Sequence, residues 1–288
     1  MKRIIPKCIL ALLALLLVGA AGYLLRVNSH YGTKAASTAD DSNALHIGAV
    51  NICRFHFLKD SHITAEFLLA AAKNNDIDVL VLQEFAEDRE LPKDTFCELF
   101  RDDFPYQSIE DECAVLSRVP IISHERKAFL DRSDNYSAVR LLYDDQTIEL
   151  LAVHLRTTGL YYVDYGKGIN SKENAAKTYR LLHDNSKIRK AQARSIQRII
   201  ELSEGPVIVA GDFNALPCSA VYRAVKGHTL HDTFLEKGAG KGSTFRGMKD
   251  LPRIDYIFHN DAFECRQARI IDDAISDHRM ITATLTLK

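Results

Sequence analysis

The sequence predicts an α/β fold, a single mixed domain of about 240 residues that begins near His46. Three observations lead there. Short apolar runs rich in Val and Ile recur between turn formers, each with the length of a sheet strand. Two other stretches carry apolar residues at helical spacing. After residue 46 there is neither an internal repeat nor a second linker, so nothing divides the remainder. The 288 residues are 47% hydrophobic and 26% charged, enough for an ordinary core. A net charge of -1 excludes a chain that coats nucleic acid through global positive charge.

The first segment differs in kind. "MKRIIPK" is a basic start, and "CILALLALLLVGAAGYLL", Cys8 to Leu25, is uncharged and closed by Arg26. As a helix this run would span about 27 Å, close to the thickness of a hydrocarbon core. Residues 1–26 therefore read as an export element: a signal anchor that holds the chain to the membrane through residues 8–25, or a signal peptide removed at "GAAG". The positive flank predicts an extracytoplasmic location for everything after it. Residues 27–45 are small and polar and read as a linker, leaving 46–288 as the folded domain.

Within the domain the expected strands are 45–52, 78–84, 113–122, 137–144, 147–155, 206–214, 253–259 and 280–287. The expected helices are Thr64 to Asn74 and Lys187 to Ser203. In the second, Lys187, Lys190, Arg194 and Arg198 form a solvated basic face, and Ile188, Ala191, Ser195, Ile199 and Leu202 trace the stripe expected to be buried. Residues 156–186 show no clear period and are expected to form a long loop at the substrate rim. The cysteines at 53, 97, 113, 218 and 265 include no CxxC pair and no Cys/His zinc spacing, which disfavours a zinc site; an exported chain has room for one disulfide or two with at least one thiol left free, and reduced, mostly buried cysteines are the favoured expectation.

Several apolar strands end on polar residues. Asn51 interrupts "AVNI" and Glu84 ends "VLVLQE". His154 shares a strand face with Leu150 and Ala152; Asp212 and Asn214 share one in "VIVAGDFN". Asp255 sits in "RIDYIF", and "SDHRM" supplies Asp277 and His278. Singly, each is an ordinary turn former or surface residue. Together they make a coherent set. Carboxylates with an amide oxygen, and no thiolate or paired imidazole ligands, suit Mg²⁺ or Mn²⁺ rather than zinc. Two imidazoles and further carboxylates add acid/base and charge-stabilising groups, as phosphoester hydrolysis requires.

The ordered motifs "AVNI", "VLQE", "AVLSRVPI", "AVHL", "VIVAGDFN", "RIDYIF" and "SDH" resemble the endonuclease/exonuclease/phosphatase superfamily, which includes deoxyribonuclease-like and sphingomyelinase-like enzymes. The resemblance runs from about residue 46 to the end. It implies a four-layer sandwich of two mixed β-sheets flanked by helices. It implies that Asn51, Glu84 and Asp277 hold the divalent cation, with Glu84 the chief ligand. Asp212 would orient or deprotonate the attacking water, and Asn214 would hold water or phosphate. His278 would stabilise charge on the phosphate with Asp255 behind its ring, and His154 would act as acid for the leaving oxygen. The resemblance leaves Asp212 and His278 both open as the general base.

The sequence departs from the abasic-site nucleases of that superfamily, reading "NICRF" and "QEFAE" where they carry a glycine-containing turn and Thr-Lys, which disfavours that subgroup. The expected function is that of an exported, membrane-anchored, metal-dependent phosphoesterase. Its substrate class is a lipid head group, a small molecule or nucleic acid, and no protein partner is inferred. The alternatives are a secreted nuclease and a catalytically silent binding or scaffold domain.

Overall fold

The computed structural model describes residues 32–33, 43–86, 89–110, 112–130, 132, 134–159, 172–247 and 253–288. Its strands are β1 (Gly32–Thr33), β2 (Leu45–Asn51), β3 (Val79–Phe85), β4 (Tyr106–Ile109), β5 (Glu112–Ser117), β6 (Ile121–Ala128) and β7 (Asn135–Tyr143). They continue with β8 (Gln146–His154), β9 (Val207–Asp212), β10 (His231–Asp232), β11 (Ala239–Gly240), β12 (Asp255–His259), β13 (Phe263–Ile271) and β14 (Met280–Leu287). The helices are α1 (Ser61–Asn74), α2 (Lys93–Phe100), α3 (Lys172–Glu201), α4 (Ala220–Lys226) and α5 (Thr233–Lys237). The apolar run at 8–25 lies outside the described residues. Among the described residues no helix is long and apolar enough to cross a membrane.

Two six-stranded sheets carry the fold, in the orders β10-β12-β9-β8-β7-β6 and β13-β14-β2-β3-β5-β4. Both are mixed. β2 and β3 run parallel in one, β8 and β9 run parallel in the other, and the remaining pairs are antiparallel. The sheets stack through one cluster that takes alternate residues from each: Ile47, Ala49, Val79 and Val81 meet Leu150, Ala152, Ile208 and Ala210. The opposite alternates face helices. Leu80 and Leu82 pack on Leu68 of α1 and Phe96 of α2, while Val207 and Val209 pack on Ile196 of α3 and Val225 of α4. The order helix, sheet, sheet, helix follows from that alternation, because every central strand is apolar on both sides.

The structure corrects several boundaries. The run 113–122 is two strands in different sheets, since Pro120 has no N–H for a ladder and Ser117 Oγ instead ties off the turn by accepting from Val119 N at 3.1 Å. β4 and β13 were not expected; β13 alternates charged and apolar residues at a sheet edge and carries a bulge between Cys265 and Gln267. α3 begins at Lys172, so the expected rim loop is helical over 172–186, and residues 160–171 lie outside the described residues. The buried stripe of α3 is also displaced. Of the expected stripe Ser195 is buried and Ile188, Ala191 and Ile199 are half-buried; the fully buried side is Arg189, Gln192, Ala193, Ile196 and Ile200, whereas Leu202 is 67% exposed just past the helix end. The basic face is exposed as expected. Cys53, Cys97, Cys113, Cys218 and Cys265 are all free thiols, but only Cys113 and Cys265 are buried.

Candidate active site

The inward-facing alternation of four strands runs beyond the apolar core at one end, and there it turns polar. Asn51 continues the face of Ile47 and Ala49, His154 that of Leu150 and Ala152, Asp212 that of Ile208 and Ala210, and Asp255 that of Ile257. The ladder registers place His154 opposite Asp212 and Asp212 opposite Asp255, so three titratable side chains form a row across β8, β9 and β12. The other sheet answers with Asn51 and Glu84. Each sheet thus contributes its parallel pair, and all four carboxyl ends open on the same side, where α/β folds commonly bind ligands.

Local backbone features aim these groups. Glu84 has φ +54° and lies where the β3–β5 register shifts between Gln83 and Phe85, so the bulge takes its carboxylate out of the strand's alternation. Gly211 has φ +141°, and a Cβ there would lie 2.0 Å from the Val153 carbonyl oxygen, so only glycine lets β9 approach β8 at this point. Asn214, at φ +46°, turns the chain just after Asp212.

Asp212 is the centre of the network and is 1% exposed. Its Oδ1 accepts from the Asn214 backbone N–H at 2.7 Å, and its Oδ2 accepts from Asn51 Nδ2 at 3.1 Å and Asn214 Nδ2 at 3.3 Å. Asn214 Nδ2 also donates to the Leu155 carbonyl at 3.1 Å, tying this turn to the end of β8. Burial, and then the charge of Asp255, raise the Asp212 pKa; His278, His154 and the Asn214 N–H oppose the rise.

His278 is 5% exposed and donates from Nδ1 to Asp255 Oδ2 at 2.9 Å. This leaves Nε2 facing Asp212 Oδ2 at 4.0 Å. Burial opposes a charged ring here, but the Asp255 charge and hydrogen bond, with Asp212 and Asp277, outweigh it and lift the pKa to about 10. Thr244 Oγ1 accepts from the Asp255 N–H at 3.1 Å, and the Phe245 ring lies 5.1 Å from the imidazole. Ligand-type atoms of Asp212, Asp255 and His278 lie within 4.8 Å of one another.

His154 stands on the other side of Asp212. Its Nε2 is 3.8 Å from both Glu84 Oε1 and Asp212 Oδ2, and Nδ1 is 3.4 Å from Glu112 Oε2. Burial lowers its pKa, yet the Glu112 hydrogen bond and the Asp212 and Glu84 charges prevail and raise it. Glu112 in turn is lowered, first by His154, and its Oε1 pairs with Arg54 at 2.6 Å. Sequence reading missed Glu112. It lies in the acidic turn "IEDE", where composition points to a solvated loop, and only the fold brings it beneath His154.

At the remaining corner Asn51 Nδ2 donates to Glu84 Oε1 at 3.1 Å, while Asn51 Oδ1 accepts from the Cys53 N–H at 3.0 Å. Ser276 Oγ donates to the Asn51 carbonyl at 2.6 Å, which docks the 276–278 segment against β2. Asp277 joins this corner through Cys53, a residue that sequence reading did not assign to the site. Burial, followed by the nearby charges of Asp277 and Glu84, pushes the Cys53 thiol up to about 12. All eight residues singled out in the sequence therefore line one end of the inter-sheet layer.

Comparison with known proteins agrees with this geometry. Among solved structures, an endonuclease/exonuclease/phosphatase family protein from Leptotrichia buccalis superposes with a TM-score of 0.59 at 19% identity, covering 85% of this chain and 100% of that one. A humanized D. rerio TDP2 gives 0.61 at 18%, covering 85% and 99%. Sphingomyelinase C from Streptomyces griseocarneus gives 0.54 at 19%, covering 84% and 99%. At these identities the likeness is one of fold. No curated protein matches by sequence. The model of the Endonuclease/Exonuclease/phosphatase family matches residues 51–278, a span that opens on Asn51, closes on His278 and encloses the whole convergence of strand ends, so the chain belongs to that family.

Proposed function

We propose that this protein hydrolyses a phosphodiester or phosphomonoester by in-line attack of water, with Mg²⁺ or Mn²⁺ held at the Glu84 corner. The observation that carries this reading is the row His154, Asp212, Asp255 across adjacent strands, faced by Glu84 and by a charged His278. The donor set fits a hard divalent ion. Glu84 and Asp277 offer carboxylate oxygens and Asn51 an amide beside them, and the two negative charges add to the effect of burial in raising the Cys53 thiol. A cation bound there would act as a Lewis acid on the phosphoryl oxygens.

In this proposal Asp212 orients the water and accepts its proton, since burial moves its pKa towards the range of a useful base. Asn51 and Asn214 fix its carboxylate. His278, charged and with Nδ1 committed to Asp255, stabilises the negative charge that develops on the non-bridging oxygens. Its charge also favours Asp212 over His278 as base, and makes the Asp212, Asp255, His278 group a device for handling charge rather than a metal seat, because coordination needs a neutral imidazole. His154 Nε2 is buried with no hydrogen-bond partner among the described residues, which suits it to supply the proton to the leaving oxygen.

The test is a panel of nucleic acids, sphingomyelin, phosphoinositides and nucleotides offered to the purified chain with Mg²⁺ or Mn²⁺, then with EDTA. Turnover lost in EDTA and in Glu84→Ala is expected; full activity in EDTA would sink the metal mechanism. A nuclease would lose binding steeply with salt, whereas a lipid or small-molecule phosphoesterase would not. The basic start and apolar run at 8–25 support a further part of the proposal, retention at the extracytoplasmic face of a membrane. Fractionation of the full chain, compared with one starting at residue 27, tests it. Release of both into the soluble fraction would count against anchoring.

A further inference from the structure

Helix α3 has two unlike faces. Its inner face holds the segment that follows His154: Arg189 Nη1 donates to the Arg156 carbonyl at 2.8 Å, and Gln192 Oε1 accepts from the Arg156 N–H at 3.0 Å. On its outer face Arg180, His183, Lys187, Lys190, Arg194 and Arg198 follow one another at steps of three and four. They form one line about 27 Å long. All six are exposed. We propose that this outer face docks on an anionic lipid bilayer, with the helix axis lying along the surface.

Three observations support the assignment. First, the stripe has one sign. Residues 177–198 hold seven Lys and Arg and a single Asp, although the whole chain has a net charge of -1. A solvated helix face normally mixes signs, and like charges at these spacings oppose the helix, so plain solvation does not account for the pattern. Second, most of that charge is available. Among the described residues Arg180, Lys187, Lys190 and Arg194 have no ion-pair partner, while His183 pairs with Asp184 and Arg198 with Glu201. Helix α4, which packs alongside where Gln197 Nε2 donates to the Val225 carbonyl, has no acidic residue and adds Arg223 and Lys226. Third, apolar side chains edge the stripe. The three most exposed large apolar side chains among the described residues are Leu130 (73%), Tyr179 (67%) and Leu202 (67%). Tyr179 stacks on His183 at one end, and Leu202 follows the helix at the other. Leu130 is tied to the flank of the helix by a 3.1 Å hydrogen bond from its N–H to Ser195 Oγ.

A nucleic-acid backbone would match the charges but leave Leu130 and Leu202 without a role. A bilayer with acidic lipids takes both: ammonium and guanidinium groups meet the head groups while apolar side chains enter the interface. A straight line of charge also fits a flat surface. The bilayer would then lie about one helix diameter, roughly 10 Å, from the segment that follows His154. This contact is peripheral and uses none of residues 1–26. It goes beyond the proposed phosphoesterase activity and does not depend on it.

The chain contains no tryptophan, so Leu202→Trp introduces a single fluorescent reporter into the full chain. That protein is reconstituted into phosphatidylcholine vesicles with brominated acyl chains, with and without about 30% phosphatidylserine. Quenching of the emission is expected in the acidic vesicles, to be weaker by about fivefold or more in the neutral ones, and to vanish at about 0.5 M salt. Adding Lys187→Gln, Lys190→Gln and Arg194→Gln should reduce quenching in acidic vesicles to the neutral level. The lipid and salt arms read the same charge dependence without altering the helix. Equal quenching in both kinds of vesicle overturns the proposal, as does quenching unchanged by the three substitutions or a reporter that no vesicle quenches. Double-stranded DNA is offered in parallel. If the three substitutions abolish its binding and leave quenching by acidic vesicles intact, the stripe belongs to nucleic acid and the proposal fails.

Discussion

Replacing Asp255 with Asn isolates the charge behind His278 while keeping the shape and an acceptor for Nδ1. Asp255 is fully buried and its Oδ2 lies 2.9 Å from His278 Nδ1, so the pair is little screened by solvent. The rise of His278 from 6.5 to about 10 is worth about 5 kcal/mol in favour of the imidazolium, at about 1.4 kcal/mol per pH unit. Because the folded-state value is the higher one, this stabilisation is complete below about pH 6.5 and drains away as pH climbs to about 10; at pH 8 roughly 3 kcal/mol remains. Asp255→Asn removes the largest favourable cause and leaves burial, which works against the charge, opposed by the smaller effects of Asp212 and Asp277. Denaturant unfolding at fixed pH between 6 and 10 should therefore show parent and variant converging as pH rises. Ring NMR of His278 should show its titration falling by several pH units in the variant. With a neutral imidazole, kcat at pH 8 should drop by about 10²–10³-fold, the effect of losing one charge-stabilising group in a transition state. A parent His278 that titrates near 6.5, or a pH-independent stability difference between the two proteins, would refute the reasoning.

Further outcomes follow from other parts of the site and core. Gly211→Ala places a methyl 2.0 Å from the Val153 carbonyl at φ +141°, and should cost about 3 kcal/mol or more in denaturant unfolding through strain and forced separation of β8 and β9; unchanged stability would show that the strands can part freely. Arg253 donates to Asp232 at 2.9 Å with both side chains buried, so Arg253→Met strands a charge and should destabilise by about 3–5 kcal/mol, read as a fall in Tm without altered metal dependence. His154→Gln should slow substrates with poor leaving groups far more than p-nitrophenyl esters, whose leaving oxygen needs no proton; equal slowing of both would remove His154 from the acid role. Phe96, fully buried between Phe85 and Phe100, should lose about 3–5 kcal/mol of stability on truncation to Ala, with the KM of an active substrate unchanged.

The sequence by itself determined the parts of this protein that repeat with a short period. Central strands such as "LHIGAVN" and "VIVAGD" are apolar on both faces, and that alone fixes them as buried strands covered on each side. The alternation also placed His154 and Asp212 on inward faces, where both stand. Polar edges were harder to read. β13 and the first half of α3 carry charge at nearly every turn, and their regularity comes from pairing with β14 and from continuation of a helix anchored further along. Pairing across the chain was illegible as well. Glu112 and Cys53 enter the site because β5 lies beside β3 and because Ser276 docks on Asn51, contacts between residues 225 positions apart in the second case. Glu84 shows the division most sharply. Its residue type and position were plain in "VLQE", but its direction depends on a bulge that exists only when β5 pairs with β3 out of step. A strand's own sequence sets which face is apolar, whereas the aim of a side chain at its end depends on the hydrogen bonds its neighbour leaves unmade.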